Sequence, residues 1–121
     1  MIKKKTLVIG ASTNKERYSN IAMNMLTKHE HPVLAVGLKE GKVAGVDIQT
    51  GMPAFEDVDT VTLYLNPKNQ VSYYEYILSL QPKRVIFNPG TENTELQNKL
   101  EKQNIAYEEA CTLVLLSTDQ Y

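Results

Sequence analysis

Short apolar runs alternate with amphipathic stretches along this chain. Thr6-Leu7-Val8-Ile9 is apolar and β-branched and is closed by Gly10, the pattern of a buried strand. Ser19 or Asn20 can then cap a helix that runs to about His29. Ile21, Ala22, Met25 and Leu26 share one face of it, and Pro32 stops it. Residues 33–36 predict a second strand, ended by Gly37. Residues 38–56 are rich in glycine and polar side chains and predict a loop with one short extended piece at 46–48. Residues 60–65 predict the next central strand. Pro67 opens a helix at its first turn, where a missing N–H costs nothing, with Val71, Tyr74 and Leu78 facing inward. Residues 84–87 predict a strand ended by Asn88-Pro89-Gly90. A helix follows over 95–103, with Leu96 and Leu100 inward and Glu95 and Lys99 as an i,i+4 pair. A short strand at 105–107 and an apolar helical turn at 112–116 complete the pattern.

Strands alternating with helices at this spacing predict βαβ units, and hence a parallel sheet covered on both faces. Right-handed crossovers wind such units into a three-layer, Rossmann-like, doubly wound α/β sheet, here of about five strands. The 121 residues suit a single domain over 1–121, and no repeat, linker or low-complexity run divides them. Composition narrows the function classes. Thirteen basic residues against fourteen acidic ones disfavour a nucleic-acid binder. No stretch approaches the ~20 apolar residues of a membrane span. The apolar run after Lys3-Lys4-Lys5 is too short for a signal peptide. The lone Cys111 excludes an intrachain disulfide and suits a reducing compartment, so a cytoplasmic location is expected. A small-molecule ligand is expected, with a homodimer or a further protein partner left open.

In doubly wound sheets ligands bind outside the carboxyl ends of the strands. Those ends carry residues 10–20, 37–41, 66–67 and 88–92. The first loop, from Gly10 through Ala11, Ser12, Thr13, Asn14, Lys15 and Arg17 to Ser19, follows a strand and precedes a helix, the setting of a phosphate site. It lacks the G-x-G-x-x-G dinucleotide fingerprint, because Ser12 and Lys15 stand where the second and third glycines would be. Hydroxyls and two cations offer direct contacts to phosphate instead. A solvated turn before a helix would look the same. The second strand ends Val36-Gly37-Leu38-Lys39, with a lysine where an NAD-binding domain wants an acid for the ribose hydroxyl. Lys39 suits a phosphorylated ribose, as in NADP or the 3′-phosphate of coenzyme A; a solvated loop lysine is the plainer reading.

Several segments together resemble the stand-alone CoA-binding domain family, which is similar to the CoA-binding domain of the succinyl-CoA synthetase α subunit. They are Val8-Ile9-Gly10-Ala11-Ser12, Asn14-x-x-Arg17-x-Ser19, the strand-end Lys39, Leu63-Tyr64-Leu65-Asn66-Pro67 and Asn88-Pro89-Gly90-x-Glu92-Asn93. Cys111 looks like the cysteine that family often has after its last strand. The resemblance implies a Rossmann-like fold and a coenzyme A or acyl-CoA ligand. It puts the nucleotide near Gly10 to Ser19, Gly37 and Lys39, and the pantetheine arm along Asn66, Pro67, Asn88, Pro89 and Gly90. Gly37-Leu38 departs from the Asn-Pro that family members often show before the lysine.

No catalytic constellation is evident. His29 and His31 fall at the end of the first helix, away from the expected ligand, where capping or solvation is the expected role and a closed metal site is not. Glu56, Asp57 and Asp59 form an acidic turn at the wrong end of the sheet for acid–base work. Tyr73, Tyr74 and Tyr76 are read as packing or interface residues. Cys111 is read as a buried structural thiol, with a redox role facing the CoA thiol as the sharper alternative. The first expectation is therefore a CoA-binding module without catalysis. An NADP-dependent oxidoreductase and a ligand-free Rossmann subunit acting through a partner are the rivals.

Overall fold

The computed structural model describes residues 2–121. The chain builds a sheet of order β3-β4-β2-β1-β5-β6-β7. Its strands are β1 (Thr6–Ala11), β2 (Val33–Gly37), β3 (Gly41–Val43), β4 (Val46–Gln49), β5 (Thr60–Leu63), β6 (Arg84–Phe87) and β7 (Ala106–Glu109). The helices are α1 (Tyr18–Lys28), α2 (Pro67–Gln70), α3 (Tyr74–Leu80), α4 (Thr94–Lys102) and α5 (Thr112–Ser117), with a 3-10 turn at Val71–Tyr73. Every pairing is parallel except that of β3 with β4. The Rossmann-like α/β architecture is as expected, with seven strands in place of about five.

Two apolar layers sandwich the sheet because successive strand side chains point to opposite faces. Leu7 and Ile9 of β1 face α3 and α4, joining Ile77, Leu96 and Leu100. Val8 between them faces the other way, onto Met23 and Leu26 of α1 and Leu116 of α5. Each fully buried Leu or Ile contributes about 1.5–3 kcal/mol, so both faces bind their helices firmly.

The two additional strands come from the segment read as a loop. Ala44 and Gly45 both take positive φ, 52° and 79°, the tight turn that joins antiparallel strands. The β3–β4 hairpin follows, and β4 adds to the free edge of β2, Ala35 opposite Ile48. From there residues 50–59 cross back to β5 without a helix. Phe55 and Val58 pack into the core on that path, and the Tyr76 hydroxyl donates to the Pro53 carbonyl at 2.7 Å.

Two helices differ in phase from expectation. On α1 the buried stripe is Ser19, Ala22, Met23 and Leu26, a regular i, i+3, i+4, i+7 face. Ile21 and Met25, expected inward, are only half-buried. After Pro67 the helix breaks into α2, the 3-10 turn and α3, and Val71 is exposed while Gln70 is buried. The cause is polar: the Gln70 amide donates to the carbonyls of Leu65 and Thr91, each at 2.8 Å, and so takes the inward place. No helix among the described residues is long and apolar enough to cross a membrane.

Candidate functional site

The carboxyl ends of β1, β2, β5, β6 and β7 open on one rim, as a parallel sheet requires. The loop after β1 is shaped by its own side chains. Ser12 Oγ accepts from the Asn14 N–H at 3.0 Å, and Asn14 Oδ1 accepts from the Glu16 N–H at 2.9 Å. The loop delivers Arg17 to the N-cap position of α1, where no side chain caps the helix. This corrects the expectation that Ser19 or Asn20 caps it: both lie inside the helix and are buried. Asn20 instead ties the helix back to the loop, its Nδ2 donating to the Ser12 carbonyl at 2.9 Å. The uncapped helix end leaves its first N–H groups and the positive end of its dipole at the rim.

Two glycines set the rim's shape. Gly10 takes φ +95°, and a Cβ there would stand 3.0 Å from the backbone of Tyr64. Gly37 lies so close to β1 that a Cβ would fall 2.3 Å from the Ala11 carbonyl oxygen. The chain leaving β2 is thereby held against the first loop, and Lys39 follows exposed to solvent. Thr13, Asn14, Lys15 and Arg17 are exposed, Gly10 and Ser12 half-buried, and Ala11, Ser19 and Gly37 buried.

Behind this mouth lies a buried amide network. Asn88 Nδ2 donates to Thr62 Oγ1 at 2.7 Å and to the Leu63 carbonyl at 2.9 Å, while Asn88 Oδ1 accepts from the Thr112 N–H at 2.9 Å. The Thr62 and Thr112 hydroxyls are 2.8 Å apart and bonded to each other. Asn93 Nδ2 donates to Gln70 Oε1 and to the Tyr74 hydroxyl at 2.9 and 2.8 Å. The Asn88 side chain is thus engaged inside the fold, joining β5, β6 and α5. Asn66 caps α2, its Oδ1 accepting from the Asn69 N–H at 3.0 Å, with Pro67 next to it. Pro89 and Gly90 are exposed, and the Glu92 carboxylate accepts from the Gly90 N–H at 2.9 Å.

The Tyr64 hydroxyl is buried beside Thr62 and Thr112, which bond each other, and has no hydrogen-bond partner among the described residues. Burial pushes its pKa up to about 12, so it stays protonated. Cys111 is half-buried at the N-cap position of α5, not the fully buried thiol expected by default.

The histidines lie at the opposite rim. His31 is buried rather than solvated: its Nδ1 accepts from the Lys4 N–H at 3.0 Å, and its ring rests 4.9 Å from that of Tyr121. Burial, with the cations of Lys3, Lys4 and Arg84 adding to it, holds its pKa below the ordinary value. Tyr74 and Tyr76 are buried packing residues, as expected.

Sequence reasoning gave Thr62, Gln70 and Thr112 no polar role and Asn93 only a place in the family motif, since an amide network has no period to read. It also missed Asn24, Lys28 and Lys42, which line a cleft of about 540 Å³ between α1 and β3. The turn Ala44-Gly45 between Lys42-Val43 and Val46-Asp47-Ile48 was the signal that could have shown the hairpin.

No curated protein matches the chain. Among solved structures it is similar over 100% of both chains to an uncharacterized protein, at 50% identity and a TM-score of 0.97. A hypothetical protein from Pyrococcus horikoshii OT3 is 28% identical, with 91% of this chain and 79% of that one covered and a TM-score of 0.81. A conserved hypothetical protein from Pyrococcus furiosus is 27% identical over 90% of this chain and 93% of that one, with a TM-score of 0.75. The family model for the CoA binding domain matches residues 4–117, from before β1 to the end of α5, and the chain therefore belongs to the CoA-binding domain family.

Proposed function

We propose that this protein binds coenzyme A or an acyl-CoA at the rim built by β1, β2, β5 and β6, and that it does so without catalysis of its own. The observation that carries the reading is the junction of the first two strands. Gly37 lies against the Ala11 carbonyl with no room for a side chain, and the chain leaving it brings the exposed Lys39 to the mouth ahead of Glu40. The strand-end position that holds an NAD ribose hydroxyl with a carboxylate is taken here by Lys39, with Glu40 one residue further on, and a phosphorylated ribose meets a cation there. The uncapped end of α1 and Arg17 supply further attraction for phosphate. The arm of the ligand then has the exposed Asn66-Pro67 and Pro89-Gly90 turns to run along. No nucleophile, base and orienting group stand together at this rim among the described residues. The Tyr64 hydroxyl is protonated and buried, and the Asn88 amide is engaged.

Calorimetric titration with CoA, dephospho-CoA, NADP and NAD tests this. CoA is expected to bind tightest, dephospho-CoA less well and NAD poorly. NAD bound as tightly as CoA would overturn the proposal. NADP bound in preference to CoA would favour the oxidoreductase.

A further inference from the structure

At one edge of the sheet an unpaired strand and a cleft meet. β3 is the outermost strand there and pairs only with β4. Ala44 and Gly45 join the two, so Val43 and Val46 close the hairpin as a hydrogen-bonded pair. Lys42, opposite Asp47, then falls at the alternate position that makes no bond across the hairpin. Its N–H and C=O point outward from the sheet, where no strand among the described residues meets them. By alternation its side chain belongs to the face away from α1, where its amine lies 3.7 Å from the Asp47 carboxylate. Val43 faces α1 and packs with Met23 in the core. Gly41 shares that face, so close to the first loop that a Cβ would stand 2.4 Å from Thr13 Cγ2.

Under this edge runs a cleft of about 540 Å³ between β3 and α1. Ile21, Asn24, Met25 and Lys28 form its helical wall, and Lys42, Val43 and Ala44 the strand wall. Thr13 and Lys15 close it at the Gly41 end, while Lys28, in the last turn of α1, lies toward the other. Lys15 and Lys28 are exposed, and neither amine has an ion pair or hydrogen bond among the described residues. No carboxylate lines the cleft among those residues; Glu40 precedes β3 and stays outside it. The middle of the cleft is therefore apolar, at Met25 and Val43, and its ends are cationic. A small anion would answer the lysines and leave the strand edge unused. A second copy of this chain, paired edge to edge about a two-fold axis at Lys42, would set lysine against lysine. An extended acidic main chain satisfies both the edge and the cleft.

We propose that β3 and its cleft bind an extended acidic segment of another protein, added antiparallel to β3 as a further strand. The segment residue opposite Lys42 exchanges both main-chain hydrogen bonds with it and turns its carboxylate to the Lys42 amine. The residues on either side of it point the other way, into the cleft. One is apolar and lies against Met25 and Val43; acids two residues to each side of that one face Lys15 and Lys28.

Nuclear magnetic resonance on the isotope-labelled full chain, without CoA, tests this. The probes are the capped pentapeptide Glu-Glu-Val-Glu-Glu, its counterpart Lys-Lys-Val-Lys-Lys, inorganic phosphate, and the acidic peptide N-methylated at both residues flanking valine. The acidic peptide is expected to shift the amide signals of 24–28 and 41–43 saturably, with the Lys42 N–H moving downfield as it gains an acceptor. Lys28→Glu, its folding checked by a melting curve, is expected to weaken that binding at least about threefold. N-methylation is expected to abolish the Lys42 shift. No saturable shift at these amides, equal binding of the basic peptide, or undiminished binding of the N-methylated one would overturn the proposal. Phosphate binding there while the peptide does not would give the cleft to a small anion. Signals of 41–43 that move with protein concentration alone would give the edge to a second copy, and either result overturns the proposal as well.

Discussion

Arg84 and Arg17 stand at opposite rims of one sheet. Arg84, at the start of β6, is half-buried and fully engaged. Its Nε and Nη2 donate to Thr60 Oγ1 at 3.2 and 3.1 Å, and Nη1 donates to the main-chain oxygen of Tyr121 at 3.1 Å. Nη1 also lies 3.6 Å from the Glu108 carboxylate, and the guanidinium carbon is 4.5 Å from the centre of the Tyr121 ring. Lys4 reaches the same Tyr121 oxygen, and the Tyr121 hydroxyl bonds Thr6 Oγ1 at 2.6 Å. Arg17, at the mouth of the first loop, is exposed, and its side chain makes no hydrogen bond or ion pair among the described residues. Lys15 and Lys39 share that condition. The difference separates two uses of the same chemistry. Cations at the amino rim hold the C-terminal segment to the sheet, and their donors are occupied. Cations at the carboxyl rim keep their donors free beside an uncapped helix end, which is where an anion gains most.

Removing each arginine should therefore do opposite things. Arg84→Ala removes both donors to the Thr60 hydroxyl oxygen and one of the two to the Tyr121 oxygen, which keeps Lys4, and uncovers the Tyr121 ring. It is expected to destabilise the fold by about 2–3 kcal/mol and leave CoA affinity unchanged. Urea denaturation and calorimetry on the same preparation check this, and a stability loss below measurement would remove the structural role assigned to the amino rim.

Arg17→Ala and Lys39→Ala are expected to behave in reverse. Each should weaken CoA binding by about 1–3 kcal/mol, with the melting temperature nearly constant because neither side chain holds the free protein together. A melting shift as large as that of Arg84→Ala would erase the contrast between the rims. Unchanged affinity in both variants would remove the nucleotide from the first loop.

The smallest expected effect is a pH dependence from His31. Its folded pKa is lowered, first by burial and then by the cations of Lys3, Lys4 and Arg84, so the folded state favours the neutral ring that accepts from the Lys4 N–H. The contribution is complete above the unfolded value near 6.5 and is lost as pH falls from there through the lower folded value, because the unfolded state binds the proton more readily. Melting curves across that interval for the wild type and His31→Asn should converge toward low pH. Parallel curves would show that the neutral ring contributes nothing.

The main strands were legible because a strand buried on both faces reads as a short run of apolar and β-branched residues, and 6–9, 33–36, 60–65 and the stretch after Arg84 supply one. The α1 register was misread because 21-22-25-26 and 19-22-23-26 both make a helical stripe. The choice falls to Ser19 going inward, which only packing against β1 and α5 reveals. Val71 was displaced for a similar reason: a buried amide with two acceptors in reach outcompetes an apolar side chain for the interior. The hairpin at 41–49 is short and mixed in polarity, and it becomes a strand pair because β2 offers a free edge, an event outside the segment itself.

What the amino-acid order determined by itself was the alternation of strands and helices, the glycines where strands meet loops, and a lysine where a carboxylate would mark another cofactor. These are local properties, set by one residue's backbone freedom or charge. Tertiary structure alone decided which polar groups remain free. Asn88 and Asn66 read alike in sequence, yet Asn88 is locked among β5, β6 and α5 while Asn66 caps an exposed turn at the mouth. Arg84, likewise, is claimed by the fold where Arg17 is not. A donor is available to a ligand only when nothing in the fold has claimed it, and that depends on neighbours distant in the chain that meet it only after the sheet has closed.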